Sequence, residues 1–342
     1  MKFRVTTLVL VAALLAFACS SDDDVAPATG SGPSDVIAFG AEGPDGDGLY
    51  IVKPDGSGLR LLTAESDFVA YPMWSPDGGR IAYVVGLPGG DDPVLLRVYE
   101  FETDTAVTIS TRAVAGQFGA PASWSPDGRR LAFSERDRIS LYDATDQLEL
   151  LSGPQLYGRS PSWSPNDDGL AYVNDGEEGG LLVTDGETGF PEVLMNRPGR
   201  EEGPRWSPDG ESIIVVAGEE GAEALLLVDR ASGTVTELGR GLVPAWSPDS
   251  RRIAFSAPSE DGQTDLDIFF VAVEGGARQP LNQSTNRELW PTWSPDGNSV
   301  AHLSRADRRT AFICVVRLQP EEERDCLDLP DLLPTTPAWS PR

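Results

Sequence analysis

The sequence is poor in the side chains that most catalysis and metal binding need. It has one histidine, three cysteines and three methionines. One imidazole limits nucleophile–histidine–acid chemistry to what His302 can reach, and no G-x-S-x-G nucleophile elbow is present. Beyond the N-terminus, no run approaches the ~18 apolar residues a membrane-spanning helix needs. Basic residues are scarce too: 27 Lys and Arg stand against 54 Asp and Glu, a net charge of −27. Residues 1–35 hold only Lys2, Arg4 and four aspartates, so the remainder keeps 50 acids and 25 bases out of the totals of 54 and 27. Such a surface repels phosphate backbones, which argues against nucleic acid as a partner, and it keeps an exported protein soluble.

Turn formers, by contrast, are plentiful. The 36 Gly and 28 Pro argue against a mainly helical fold, and 40% apolar with 8% aromatic residues can fill a sizeable core. A chain of 342 residues allows two ordinary domains or one large domain built from repeats.

The N-terminus has the pattern of an export signal. Lys2 and Arg4 precede an apolar core from Val5 to Leu15, followed by the small residues Ala16 and Ala18 and then Cys19. Two processing routes fit. Ala16-Phe17-Ala18 is a site for ordinary signal peptidase, whereas Leu15-Ala16-Phe17-Ala18-Cys19 is similar to a bacterial lipobox, with lipidated Cys19 as the mature N-terminus. The polar stretch Ser20 to Asp35 favours the second route, because it reads as a flexible tether, here residues 19–35. Such a tether spans roughly 20–25 Å on average, and more than one acyl chain makes the anchor stable.

Internal repetition sets the architecture. Trp-Ser-Pro occurs at Trp74, Trp124, Trp163, Trp206, Trp246, Trp293 and Trp339, at intervals of 50, 39, 43, 40, 47 and 46 residues. A proline stands two residues before each Trp, or three before it at Pro121. Short apolar runs bounded by turn residues follow each of the first six copies and read as strands. Four antiparallel strands per unit of this length predict a β-propeller blade. The segments 36–40, 49–52 and 59–63 have no Trp-Ser-Pro before them, and the last copy has no strands after it. Joined, the two ends complete a blade, so the expected fold is all-β: a seven-bladed propeller over 36–342, closed by pairing of strands within 36–63 with the strand at 337–341. In this frame Ser-Pro-Asp-Gly is a tight turn and Trp a packing residue between blades, a structural joint used seven times.

The phrase in Pro244-Ala245-Trp246-Ser247-Pro248-Asp249 and Arg252-Ile253-Ala254-Phe255 resembles the TolB-type propeller repeat. The resemblance covers 36–342 and implies the propeller. The pattern departs from TolB itself in its seven repeats, in the expected lipid anchor and in having no separate N-terminal domain, so the propeller is carried over and the Tol–Pal role is not.

No catalytic constellation emerges. His302 occupies the repeat slot held by Phe39, Tyr83, Phe133, Tyr172 and Phe255, a packed position. Similar repeats precede a hydrolase domain in the prolyl oligopeptidase family, for which this chain has no room, and propeller lyases bind metal through several histidines. Cys314 and Cys326 fall on adjacent strands of the last blade, where a hairpin pairing them also pairs Val316 with Arg324 and permits a disulfide.

The acidic segments 41–48, 86–93, 174–180, 217–224 and 257–267 read as loops on one face. Asp45, Asp47, Asp261 and Asp265 are candidate calcium ligands without EF-hand spacing, and solvated loops are the favoured alternative. On the same face the loops leading into the inner strands carry Tyr71, Phe118, Tyr157, Arg159, Arg205, Arg287 and Trp290, residue types common at recognition sites. They either anchor a ligand or cap the centre. The expected function is a monomeric, non-enzymatic module binding an envelope protein or peptide. The alternative is a carbohydrate- or peptide-active enzyme using carboxylates of that face.

Overall fold

The Trp-Ser-Pro copies at Trp74, Trp124, Trp206, Trp246 and Trp293 fold as tight turns at the ends of short strands. In the first, Ser75 Oγ donates to Asp77 Oδ1 at 2.5 Å and accepts from Arg80 N at 2.9 Å, while Gly78 N donates to Ser75 O. The same three bonds recur at Ser125, Ser207 and Ser294. A serine held in this way is fully buried because all its hydrogen-bonding capacity is used locally.

The structure, a computed structural model, describes residues 32–341 apart from 45, 87–92, 116–119, 146–147, 151–154, 167–168, 175–179, 185–188, 198–199, 220, 260–265, 282–283 and 319–322. Cys19, the export signal, most of the tether, Phe118, Asp45, Asp261 and Asp265 lie outside the described residues. Within them, all regular structure is strand, paired antiparallel. Five sheets have four strands each. A further sheet has nine, because Ala113, ending the long strand Thr105–Ala113, pairs with Glu135 of the next repeat. In its second half the outer position is shared by Leu148–Leu150 and Leu156–Tyr157, both pairing with Arg138–Asp143. The strand Leu333–Trp339 pairs with Ile37–Gly43, which pairs in turn with Gly46–Val52 and then Arg60–Glu65.

The second strand of each sheet alternates large and small residues, and neighbouring repeats share the two faces. Ile81, Tyr83 and Val85 pack with Ala38, Leu49 and Ile51 of the preceding sheet, whereas Ala82 and Val84 pack with Trp124 and Phe133 of the next repeat, in the second half of the nine-stranded sheet. Burial at about 25 cal/mol per Å² makes these interfaces the main stabilising term.

The tryptophans join repeats by hydrogen bonds as well as by packing. The indole Nε1 of Trp74, Trp124, Trp246 and Trp293 donates to the carbonyls of Ala338, Met73, Arg205 and Ala245, each the residue just before another repeat's Trp. Where that preceding residue carries a hydroxyl, the bond changes. The backbone N–H of Trp163, Trp206 and Trp339 donates instead to Ser123 Oγ, Ser162 Oγ and Thr292 Oγ1. The side chain before Trp thus selects which of two bonds the next Trp makes.

One expectation is corrected. Ends of several acidic segments read as loops continue strands, whereas Gly86 and Pro93, the described residues of 86–93, do not. Ala41 to Gly43 and Gly46 to Gly48 continue their strands, as do Ala217 and Gly218, Ala257 and Pro258, and Leu266 and Asp267. Backbone pairing does not depend on side-chain polarity, so the hairpins extend until a glycine or a tight reversal stops them.

Candidate functional site

The proline two residues before Trp creates the site. Proline lacks an N–H and is tolerated in a sheet only where no ladder bond is required. Here it forms part of a bulge: between the pairs Ala70↔Val84 and Met73↔Ala82, the two residues Tyr71 and Pro72 oppose the single residue Tyr83. The same register shift occurs at 159/162, 202/205, 242/245 and 289/292. The residue before the proline takes positive φ at Tyr71 (51°), Ser160 (54°), Gly203 (57°), Val243 (45°) and Trp290 (53°). For a β-branched residue such as Val243 this conformation is a true outlier, at a cost of about 1–3 kcal/mol. A bulge re-aims the side chains beside it.

Three of the predicted residues converge there. Tyr71, Arg205 and Trp290 line one cavity of about 160 Å³, with Val243, Thr336 and Pro337 among its other walls. Arg205 also lines a wider recess of about 520 Å³ whose walls include Trp206, Trp246, Trp293 and Trp339. Tyr71 and Trp290 meet edge to face with ring centroids 6.3 Å apart, and Tyr71 N donates to Thr336 Oγ1 at 2.6 Å. Burial pushes the Tyr71 hydroxyl up to about 12 despite the opposing charge of Arg205, so it is a neutral donor at physiological pH. Burial also pulls the Arg205 guanidinium below its ordinary value, although arginine keeps its proton in proteins. Among the described residues no hydrogen-bond partner faces Arg205 Nε or Trp290 Nε1, both buried atoms.

The other predicted residues lie elsewhere. Tyr157 is 53% exposed and its hydroxyl donates to Gln155 Oε1, while Arg287 is exposed at the start of Arg287–Trp293. Arg159 begins the strand Arg159–Trp163 and its Nη2 donates to Glu201 O at 3.3 Å. None of these three lines the cavity. Nor do Tyr71, Arg205 and Trp290 sit on loops: all three are strand residues, brought inward by the bulges. Val243 and Thr336 were missed, although their position directly before a repeat proline matches that of Tyr71 and Trp290.

A second polar cluster is fully enclosed. His302 Nε2 lies 2.8 Å from Glu288 Oε2, with both side chains at 0% exposure. Arg324 Nη2 donates to Glu288 Oε1 at 3.0 Å, and so does Ser304 Oγ at 3.1 Å. Burial opposes the charge on Glu288, but His302 and Arg324 outweigh it and hold the carboxyl below its ordinary value. Nearby, Cys314 and Cys326 face each other in register with Sγ atoms 2.00 Å apart, and Val316 faces Arg324. His302 keeps the aromatic slot's burial but brings a buried contact with Glu288 that the repeat alignment alone does not reveal.

Of the candidate calcium ligands, only Asp47 is described. Burial, with Glu42 and Asp67 nearby, raises its carboxyl. No group of three or more potential metal ligands occurs among the described residues, and no helix there is long and apolar enough to cross a membrane.

Stacked antiparallel sheets, each with an inner strand ending in Trp-Ser-Pro, define a propeller-type β protein. Residues 136–342 match the TolB beta propeller domain, and the chain belongs to that family. It is 31% identical over 235 residues to "Uncharacterized peptidase YuxL" of Bacillus subtilis, covering 62% of this chain and 34% of that protein. It is 30% identical over 200 residues to "Uncharacterized protein Atu1656" of Agrobacterium fabrum, covering 55% of this chain and 66% of that protein. The chain therefore spans between a third and two thirds of the length of these relatives. The crystal structure of TolB from Acinetobacter baumannii superposes with a TM-score of 0.61 at 19% identity, covering 91% of this chain and 68% of that one. That likeness shows the fold.

Proposed function

We propose that this protein is a non-enzymatic recognition module of the cell envelope. It binds an envelope protein or peptide where the inner strands converge, acting as a monomer. In this reading seven blades form a ring, closed where Leu333–Trp339 joins Ile37–Gly43. Residues 1–18 direct export, and lipidated Cys19 with the tether to residue 35 holds the ring near a membrane. The carrying observation is the convergence of Tyr71, Arg205 and Trp290 on one cavity. Aromatic and arginine side chains in desolvated pockets are the usual anchors of protein recognition. The two inter-sheet bonds bridging the strands Leu333–Trp339 and Val69–Trp74, Trp74 Nε1 to Ala338 O and Tyr71 N to Thr336 Oγ1, support the closed ring.

Affinity capture from the native envelope, read by mass spectrometry, tests this reading. A protein captured by the wild type and lost with Tyr71→Ala, Arg205→Ala and Trp290→Ala combined is the expected result. Retention of every partner by that variant would refute it. A Cys19→Ser variant that still incorporates labelled fatty acid would remove the anchor from the proposal.

The enzymatic alternative draws on one observation: burial raises the carboxyl of Glu201, beside Glu202 on the strand Arg200–Trp206. A general acid needs a raised carboxyl, but it also needs access to substrate. Glu201 is buried, its Oε1 accepts from Arg197 N, and it does not line the cavity. The recognition reading is the better supported.

A further inference from the structure

Of the residues between proline and tryptophan in each repeat, all but Ser123 line the narrow cavity or the wider recess. In chain order these residues are Met73, Ser123, Ser162, Arg205, Ala245, Thr292 and Ala338. Six are neutral and mostly small. Arg205 alone is charged, and it borders both the narrow cavity and the wider recess. Three other partly buried arginines have carboxylate partners, Arg97 with Glu65 at 2.5 Å, Arg138 with Glu135 at 2.7 Å and Arg324 with Glu288 at 3.0 Å, while Arg252 and Arg278 lie over the rings of Trp293 and Phe269. The guanidinium of Arg205 has neither a hydrogen bond nor an ion pair with a described residue, and its buried Nε is left without a partner. Glu202, on the same strand, pairs its Oε1 with Arg200 at 2.7 Å, and its buried Oε2 has no partner among the described residues.

Burying part of a charged group without a partner is costly, and proteins ordinarily avoid it. A second unmet donor, Trp290 Nε1, belongs to a residue lining the same cavity. These two unmet donors, one of them cationic, line the cavity, while the carboxylate of Glu202 does not, and together they suit an anionic acceptor entering it. A carboxylate suits it best, since a planar guanidinium and a carboxylate pair in a bidentate fork. The walls beside the donors are Val243, Pro291, Pro337 and Ala338, which suit the aliphatic carbon behind a carboxylate. A volume of about 160 Å³ equals that of roughly five waters, enough for the end of an extended chain but not for a fold of it. The protein's net charge of −27 opposes the approach of an anion, but at physiological salt that field is screened beyond about 8 Å.

We propose that Arg205 and the indole N–H of Trp290 form a binding site for the C-terminal carboxylate of a peptide, inserted end-on where the inner strands converge. This assignment rests on the recognition reading above and gives its ligand a chemical class.

Isothermal titration of the full chain with four probes tests it: N-acetyl-trialanine as the free acid, the same peptide as its C-terminal amide, N-acetyl-Ala-Glu-Ala amide, and glucuronate. The free acid is expected to bind, and the amide to bind at least about tenfold more weakly, as for the loss of a charged hydrogen bond. Arg205→Leu, which removes no partner of a described residue, should keep the wild-type unfolding transition and lose the preference for the acid. Arg205→Lys should retain part of it. Trp290→Phe should weaken the acid more than the amide. Equal binding of acid and amide, no binding by any probe, or a preference that survives Arg205→Leu would overturn the site. Selective binding of the Glu peptide or of glucuronate would replace the chain end with a side-chain or sugar carboxylate and so overturn the end-on assignment. The two readings fail separately. Envelope capture that succeeds while acid and amide bind alike removes the carboxylate site only, and probe binding without any captured partner removes the recognition role only.

Discussion

Trp124 and Trp206 form a matched pair that tests the joint between repeats. Each ends an inner strand and each is 7% exposed, so replacement by phenylalanine removes similar apolar area from each. They differ in one bond. Trp124 Nε1 donates to Met73 O at 3.0 Å, whereas Trp206 Nε1 is buried with no partner among the described residues, its junction being made by its backbone N–H to Ser162 Oγ. Trp124→Phe therefore loses a hydrogen bond and leaves the Met73 carbonyl without it. Trp206→Phe removes an unsatisfied donor and keeps the backbone bond. A net hydrogen bond contributes about 0.5–1.5 kcal/mol, and an orphaned buried partner costs about 1–3 kcal/mol. Trp124→Phe should then be the more destabilising by about 1.5–3 kcal/mol. Urea unfolding with a common m value reads this as a difference in midpoint. Equal midpoints, or a greater loss for Trp206→Phe, would show that the indole bonds are incidental and packing alone joins the repeats.

Two further outcomes are expected. Because the folded protein holds the Glu288 carboxyl below its ordinary value, this group stabilises the fold above pH ~4.5, and its contribution is lost as pH falls through the lowered value. Glu288→Gln should cost about 3–5 kcal/mol at pH 7, as for one partner removed from a buried ion pair, and should flatten the acid limb of the stability–pH profile; an unchanged acid limb would show that other carboxylates set it. Reduction of Cys314–Cys326, which closes a separation of 12 residues, should lower stability by about 3 kcal/mol in urea titrations with and without reductant, and free thiols in the unreduced native protein would disprove the link.

Much of the architecture is local and was therefore legible. Ser75, Pro76, Asp77 and Gly78 complete a turn with bonds spanning at most five residues, so the motif specifies its own geometry wherever it recurs. The alternation in Ile81-Ala82-Tyr83 likewise states which side chains share a face, and the hairpin arithmetic places Cys314 opposite Cys326. The acidic segments misled because side-chain polarity does not stop backbone pairing.

Which recognition-type residues meet was not legible. Tyr71, Arg205 and Trp290 are separated by 134 and 85 residues, yet line one cavity, while Tyr157, Arg159 and Arg287 do not. That outcome depends on bulges that shift the register of inner strands by one residue, and on strands from distant repeats lining one cavity. Glu288 meets His302 for the same reason: the shift between Leu289↔Leu303 and Thr292↔Ala301 leaves His302 opposite the bulge, within reach of a carboxylate that uninterrupted pairing would place elsewhere. Local patterning thus determined the repeats, their turns and their buried faces. Only the tertiary structure decided where the charges in the centre lie, because an ion pair or a cavity is made by the distance between strands and not by their order in the chain.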